Sequence, residues 1–385
     1  MADFRTLADP RLFPDSRNAS PSDARLYQLA TKSLTADSRP GADAADREIR
    51  EILAARLASD GAALAALFAG APSVALTRHL WRELDAVWQS GTEAATGLAI
   101  TMFALPIVIV SGVERASADV VHPGILREPE TLAAILREHG ALGGNETFAL
   151  ASALVAAEAI DFPRLPEIFE WQRLPESKLG DFSPRVLVPS PLTLPAGGER
   201  VHLRFLVGSA LARPGRDVVS ATAVGPWGVP FVQALSRELA TAESSVLALT
   251  RVPQRPLQAV RAGRAAQREV GVQIFASNAI RKLRASVGEP TAVISAHRAA
   301  DAPGGGELRL SLSSPFAPRD AEGFRCPLYP LDRVGDVASM LVDLMADCRV
   351  TDVRVVAGIH ADRDPSTGLP LLFKPDTLPD SAAVH

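Results

Sequence analysis

The stretch AATGLAITMFALPIVIVSGV, residues 94–113, decides the fold because it holds twenty residues without a charge. A segment of that length is long enough to cross a bilayer as a helix. Pro106 in its middle interrupts such a helix, as do Gly97 and Gly112 near its ends. Basic residues normally flank a membrane span, but Arg115 is the only basic residue beside this stretch. We therefore expect the stretch to lie in the core of a water-soluble fold, and we predict no membrane span.

The composition of this stretch changes in its middle. Residues 94–105 are mostly Ala, Leu, Met and Phe, which favour a helix, whereas residues 107–110 are β-branched and favour a strand with both faces covered. A residue before proline is driven out of the α region, so a helix tends to end at Pro106. The sequence predicts a buried helix that runs into a buried strand at residues 106–111.

Local signals mark the start of a mainly helical region. Ser20 suits a helix N-cap, Pro21 suits the first helical position, and Asp23 supplies an acid in the first turn. These signals predict a first helix that ends at about Leu34. A second helix is predicted over residues 43–59, where apolar residues recur on one side.

Length and composition indicate two domains with a large buried core. A proline-rich segment divides the helical part from a part in which strands and helices alternate. We predict a flexible arm, a helical domain that contains the buried strand, an α/β domain and a disordered tail, at residues 1–22, 23–177, 178–375 and 376–385. The predicted fold class is α/β or α+β, with a mainly helical N-terminal region followed by a mixed α/β layer domain.

The charge balance and the cysteines indicate a cellular compartment, but they do not indicate a catalytic or binding activity. A net charge of −4 gives no global reason to expect nucleic acid. Arginine outnumbers lysine 36 to 4, which we interpret as the codon bias of a GC-rich bacterium. Two cysteines, Cys326 and Cys348, and a polar start without signal-like character favour a reducing, cytoplasmic location.

Motifs of high catalytic specificity are missing from the sequence. There is no Gly-x-Ser-x-Gly elbow, Cys-x-x-Cys pair, His-Glu-x-x-His motif or dinucleotide fingerprint. Ser295 and His297 would share one face of a strand, but no acid that would orient the histidine is evident. His79 and Glu83 are spaced for one helical turn, yet two ligands do not make a metal site. We therefore predict no cofactor.

The most polarised segment, residues 251–284, carries eight basic residues and one acid. If residues 256–270 form a helix, three arginines fall within about 60° of one another: Arg261, Arg264 and Arg268. Gly263 in the middle of this segment weakens the helix prediction. Guanidinium groups in such a row can hold phosphates, carboxylates or an acidic partner. A basic face that pairs with the chain's own acids is the alternative interpretation.

Further candidates extend this basic field. Arg281, Lys282 and Arg284 follow the row, and Trp227 lies in a turn with a proline on either side, where it is expected to be exposed. Trp81 is a second apolar surface candidate, because it lies off the leucine row of its predicted helix. Packing in the interior is the alternative for both tryptophans.

The C-terminal part predicts an extended piece at residues 324–328, a helix, and a strand at residues 353–357, an order that implies a parallel pair. Open α/β sheets place ligands at the carboxyl ends of parallel strands. The turn after the last strand offers weak candidates for catalysis or for a divalent ion: His360, Asp362 and Asp364. Three such residues do not close a metal site, and an ordinary turn is the alternative.

Together these features predict a cytoplasmic bacterial interaction, assembly or accessory protein that binds an acidic or anionic partner through an arginine-rich helix. One alternative is an enzyme whose α/β domain acts on a phosphate- or carboxylate-bearing substrate, with metal assistance. The other is a nucleic-acid accessory protein that uses the same arginines. The partner expected first is another protein or complex.

Overall fold

The computed structural model describes Asp9 and residues 20–90, 99–112, 119–142, 147–172, 188–194, 199–212, 224–240, 246–286, 288–298, 305–314 and 317–360. Helices come first in these ranges and antiparallel sheets come later, which confirms the predicted mixed α/β fold class. The predicted tail and most of the predicted arm lie outside the described residues.

The first elements in the described ranges are the helices α1 (Pro21–Leu34), α2 (Arg39–Ser59), α3 (Gly61–Ala69) and α4 (Val74–Ser90). Strands and helices then follow in mixed order: β1 (Ala99–Ser111), β2 (Val120–His122), α5 (Pro129–Glu138), β3 (Phe148–Val155), α6 (Leu165–Gln172), β4 (Leu192–Leu194), β5 (Arg200–Ala212), α7 (Gly225–Leu239), β6 (Val246–Thr250), α8 (Pro256–Ser286), β7 (Thr291–Arg298), β8 (Gly306–Ser314), β9 (Ala317–Leu328), α9 (Val334–Asp347) and β10 (Asp352–His360). The predicted N-cap of α1 is confirmed, because the Ser20 hydroxyl accepts the Asp23 N–H at 3.2 Å.

The chain divides into two compact units. The β7 unit comprises residues 1–37, 66–80 and 271–385, and the β1 unit comprises residues 38–65 and 81–270. The domain boundary predicted near residue 178 falls outside the described residues, and strands from both sides of it pair in one sheet. The bounds predicted for the domains stay a prediction.

The sheet of the β1 unit has four strands in the order β3-β5-β1-β6, all antiparallel to their neighbours. Apolar side chains of β1 pack with α5 and α7 on one face of this sheet. The opposite face receives α8 at Gly263, where a Cβ atom would lie 2.8 Å from Leu203 and 3.0 Å from Pro106. Both faces are therefore covered, which explains why the central run of β1 is apolar without alternation.

Residues 99–105 are strand, so the helix predicted for them is wrong. Strand pairing outweighs the helix propensity of these residues, because β1 is hydrogen-bonded to β5 along its full length. Pro106 does not end the strand. Its carbonyl accepts the Arg251 N–H at 3.2 Å, on the side of β1 that faces β6. The N–H and C=O of one strand residue point to the same side, so the N–H that proline lacks would also have faced β6. Regular pairing with β6 begins only at Ile107, so the proline occupies a locally edge-like position.

The membrane alternative concerned this same stretch. Its described part is a buried strand of a four-stranded sheet. Among the helices of the described ranges, none combines the length and the apolar character that a membrane crossing requires.

The sheet of the β7 unit has the order β10-β7-β8-β9. Residues 271–286 of α8 and the helix α9 pack against one face of it through a common apolar cluster. The parallel pair predicted between residues 324–328 and 353–357 is wrong, because β9 pairs antiparallel with β8 and lies at the opposite edge from β10. β10 is instead parallel to β7. Along the chain, β8 and β9 lie between these two strands.

Candidate functional site

The arginine-rich segment forms the 31-residue helix α8, but its three predicted guanidinium groups differ in their surroundings. Arg264 forms a 2.6 Å salt bridge with Asp161, whose carboxylate is largely buried. Arg268 is buried, and Arg261 is exposed. Of the predicted row, Arg261 alone is therefore an exposed side chain, and its role in partner binding stays a prediction.

The three basic residues that follow on α8 are exposed and contact neighbouring side chains. Arg281 donates to the Asn278 side-chain oxygen at 2.7 Å. Lys282 forms an ion pair with Glu322, and Arg284 forms one with Glu289 at 3.0 Å. Two of these three cations thus face carboxylates of the same unit.

Trp227 is buried, so the exposure predicted for it is wrong. It lies in the first turn of α7 with 1% of its surface exposed, and its ring meets that of Phe231 edge-on at 5.8 Å. The flanking prolines belong to the helix rather than to a surface turn, since Pro226 lies in the first turn, where a missing N–H costs no hydrogen bond. The amphipathic helix directs Trp227 into the core below α7.

Trp81 and Trp88 contact other aromatic rings in the β1 unit. Trp81 meets Phe162 edge-on at a ring distance of 5.8 Å, and Trp88 lies 5.9 Å from Phe169. Trp81 therefore helps to pack α4 against the segment that leads into α6, and Trp88 packs against α6 itself.

The predicted turn after the last strand is described only at its start. The sequence predicts His360 in the turn, but it is the final residue of β10, a strand that is parallel to β7. Asp362 and Asp364 lie outside the described residues. The catalytic or metal-binding role of these three residues stays a prediction.

Ser295 and His297 form a buried network on β7 and its neighbouring strands. The Ser295 hydroxyl lies 2.8 Å from His297 Nε2, and Glu307 on β8 is opposite His297 in the strand register. The Glu307 carboxylate accepts Arg309 Nε at 2.6 Å and Arg325 Nε at 2.7 Å. Ser295 and His297 are fully buried, so we interpret the network as part of the sheet interior rather than as a nucleophile site.

His202 on β5 is a second histidine with a perturbed environment. Its Nε2 lies 3.0 Å from the Ser111 hydroxyl on the paired strand β1. Burial lowers the pKa of His202 below its usual 6.5, and the positive charges of Arg204 and Arg200 lower this pKa further. Each of these effects disfavours the imidazolium form.

His202 therefore predicts a pH dependence of stability. Because its folded pKa lies below the unfolded value, the unfolded state binds more protons between the two, and stability present above about pH 6.5 is lost as the pH falls through the folded pKa. We expect His202→Gln to lose less unfolding free energy than the wild type between about pH 8 and about pH 5. Urea midpoints across this range measure the effect, and parallel curves for the two proteins would contradict it.

A polar cleft of about 270 Å³ opens between α5 and α7 in the β1 unit. Its wall is formed by the residue before the N-cap of α5, by the first turns of that helix, and by the last turns of α7. The lining residues are Arg127, Glu128, Thr131, Leu132, Ala234, Arg237 and Glu238. Sequence reasoning missed this site, since none of its residues belongs to a charge run or a motif.

Both carboxylates of the cleft contact the start of α5. The Glu238 carboxylate, from α7, accepts the N–H of Arg127 at 2.9 Å and that of Glu128 at 2.5 Å. The Glu128 carboxylate accepts the Thr131 hydroxyl at 3.2 Å. Backbone N–H groups at a helix start need acceptors from outside the helix, so Glu238 has a structural role there.

The two arginines of the cleft have no acidic partner in the described part of the chain. Both are exposed. Arg237 Nε donates to the Gln233 carbonyl at 3.2 Å within α7, and the Arg127 guanidinium makes no hydrogen bond or ion pair with a described residue. A guanidinium is always charged and presents a planar fork of donors that matches a carboxylate or phosphate. The cleft therefore contains two carboxylates that already accept hydrogen bonds, and two guanidinium groups that have no acidic partner among the described residues.

No protein-family model, no curated protein and no solved structure matches the chain. Any role for it has to follow from the side chains described above.

Proposed function

We propose that the protein is an interaction protein that binds an acidic segment of another protein, with Arg127 and Arg237 holding the partner's carboxylates in the cleft between α5 and α7. The observation that carries this proposal is the pair of exposed guanidinium groups without an acidic partner among described residues. The proposed function keeps the acidic partner that the sequence predicts, but the contact lies in this cleft rather than on α8. A cytoplasmic location in a bacterium belongs to the same proposal.

The chemistry of the lining favours binding over catalysis. The lining residues include no histidine or cysteine, and both carboxylates already accept hydrogen bonds at the start of α5. The cations, in contrast, are free to exchange water for a ligand oxygen. A guanidinium is always charged and fits a carboxylate with two parallel hydrogen bonds, so an acidic ligand gains Coulomb attraction that a neutral ligand lacks.

The test is the affinity of a fluorescein-labelled hexaglutamate peptide, measured by fluorescence anisotropy, with a hexaglutamine peptide as the uncharged comparison. We expect Arg127→Gln and Arg237→Gln each to weaken hexaglutamate binding by about tenfold. We also expect added salt to weaken it, because mobile ions screen exposed charges. Inorganic phosphate, added as a competitor, shows whether the cleft also takes a small anion.

Two further variants make the result specific. Arg39→Gln removes an exposed arginine of α2 and should leave the affinity unchanged. Arg261→Gln tests the contact predicted on α8. Loss of binding in Arg261→Gln, with none in the two cleft variants, would reject the cleft and favour α8. Equal losses in all four variants would show that net charge alone attracts the peptide.

A further inference from the structure

The two acids of the cleft differ in how far their charges are compensated. Both oxygens of the Glu238 carboxylate accept backbone N–H groups at the start of α5, where the aligned peptide dipoles carry a partial positive charge. The Glu128 carboxylate accepts only the Thr131 hydroxyl among the described residues, and it does so through one of its oxygens. Glu128 is the N-cap residue of α5, yet its side chain does not cap the helix. Glu238 therefore has its charge offset within the described part of the chain, and Glu128 does not.

Glu128 is exposed and has no basic partner in the part of the chain that the structure describes. A carboxylate has about four acceptor sites, so the single bond from Thr131 leaves most of them for a donor from outside. The cleft thus offers a ligand three charged groups of mixed sign, which are the guanidinium groups of Arg127 and Arg237 and the carboxylate of Glu128.

This mixture of charges favours one kind of acidic partner over another. A segment made only of acidic residues brings its carboxylates to both arginines, but it also brings them close to Glu128, and juxtaposed like charges disfavour a partner. A basic residue beside the acidic ones replaces this repulsion with attraction. Charge complementarity of this kind selects among partners more than it raises affinity.

We infer that the partner segment carries two acidic residues with a basic residue beside them, and that Glu128 contacts the basic residue. This inference rests on the proposed function and names the charge pattern of its partner. Arg127 and Arg237 hold the two carboxylates, and Glu128 distinguishes such a segment from a purely acidic one. Because each ion pair in an exposed cleft is weak, the preference amounts to a few-fold difference in affinity.

Four labelled hexapeptides test this inference by fluorescence anisotropy. Two place a lysine before or after the acidic pair, Ser-Ser-Lys-Glu-Glu-Ser and Ser-Ser-Glu-Glu-Lys-Ser, so that both chain directions are covered. The other two have glutamine in place of the lysine. We expect the wild type to bind at least one lysine peptide about threefold more tightly than its glutamine counterpart, which is the effect of an exposed ion pair.

Glu128→Gln is the decisive variant, because its amide oxygen can still accept the Thr131 hydroxyl while the charge is removed. It should abolish the preference for lysine and, without the repulsion, tighten hexaglutamate binding by about threefold. Glu130→Gln removes the same charge from an exposed position of α5 that does not line the cleft, so it should keep the preference. Circular dichroism spectra that match the wild type confirm that both variants are folded.

Three results would overturn this inference. They are a wild type without any preference for lysine, a preference that persists in Glu128→Gln, and a preference that Glu130→Gln loses equally, which would make net charge the cause. The proposed function stands in each case if hexaglutamate binding still depends on Arg127 and Arg237. Hexaglutamate binding that is indifferent to both arginines would reject both proposals.

Discussion

Glu307→Gln is expected to lower the free energy of unfolding by about 3–5 kcal/mol, because it removes the carboxylate that forms a buried ion pair with Arg309. The side chains of Glu307 and Arg309 are 4% and 2% exposed, and they lie 2.6 Å apart. Both side chains are buried, so water does not replace the lost carboxylate as it would at the surface. Urea denaturation followed by circular dichroism measures the loss.

Two comparisons isolate the buried charge as the cause. Glu289→Gln breaks the exposed pair with Arg284 in the same unit and should cost about 0–1 kcal/mol. The double variant Glu307→Gln with Arg309→Met removes both charges, so it should recover part of the loss. If Glu307→Gln costs no more than Glu289→Gln, the network does not behave as a buried ion pair, and its assignment to the sheet interior is wrong.

Trp227→Ala is expected to destabilise the protein by about 3–5 kcal/mol, because removal of a large buried aromatic side chain leaves a cavity. Trp227 is 1% exposed and belongs to the apolar cluster that α7 forms with the sheet. The control is Val229→Ala on the same helix, whose side chain is 62% exposed and whose loss should change stability by no more than about 0.5 kcal/mol.

Trp227 also decides between two roles. If Trp227→Ala retains the stability of Val229→Ala, Trp227 does not contribute to the core in the way that its burial requires. If it loses stability with binding retained at low temperature, the residue belongs to the core. Differential scanning calorimetry together with the anisotropy titration separates these results.

The part of the fold that the sequence predicted depends on short-range signals. Ser20 and Pro21 predicted the start of α1, and the structure begins the helix at Pro21. The β-branched run at residues 107–110 predicted the buried part of β1. The helix predicted for residues 94–105 failed over the described residues 99–105, because pairing with β5 outweighs the helical preference of Ala, Leu and Met.

The residues of the candidate site, in contrast, could not be predicted from short-range signals. Arg261, Arg264 and Arg268 stood out because they are close in sequence, yet Arg264 meets Asp161, which is 103 residues away along the chain. Arg127 and Arg237 did not stand out, because each is an ordinary arginine near a helix end. Likewise, the acid opposite His297 was not evident until the register of β7 and β8 placed Glu307 there.

The sequence by itself determined that residues 99–111 would be buried and that helices would precede strands, since both follow from the apolar character and spacing of neighbouring residues. Only the tertiary structure decided which arginines lack an acidic partner among described residues, that Trp227 faces inward, and which strands pair. The physical reason is the short reach of ion pairs and packing contacts: they act over a few ångströms in space, and the chain brings those atoms together from positions far apart in its sequence.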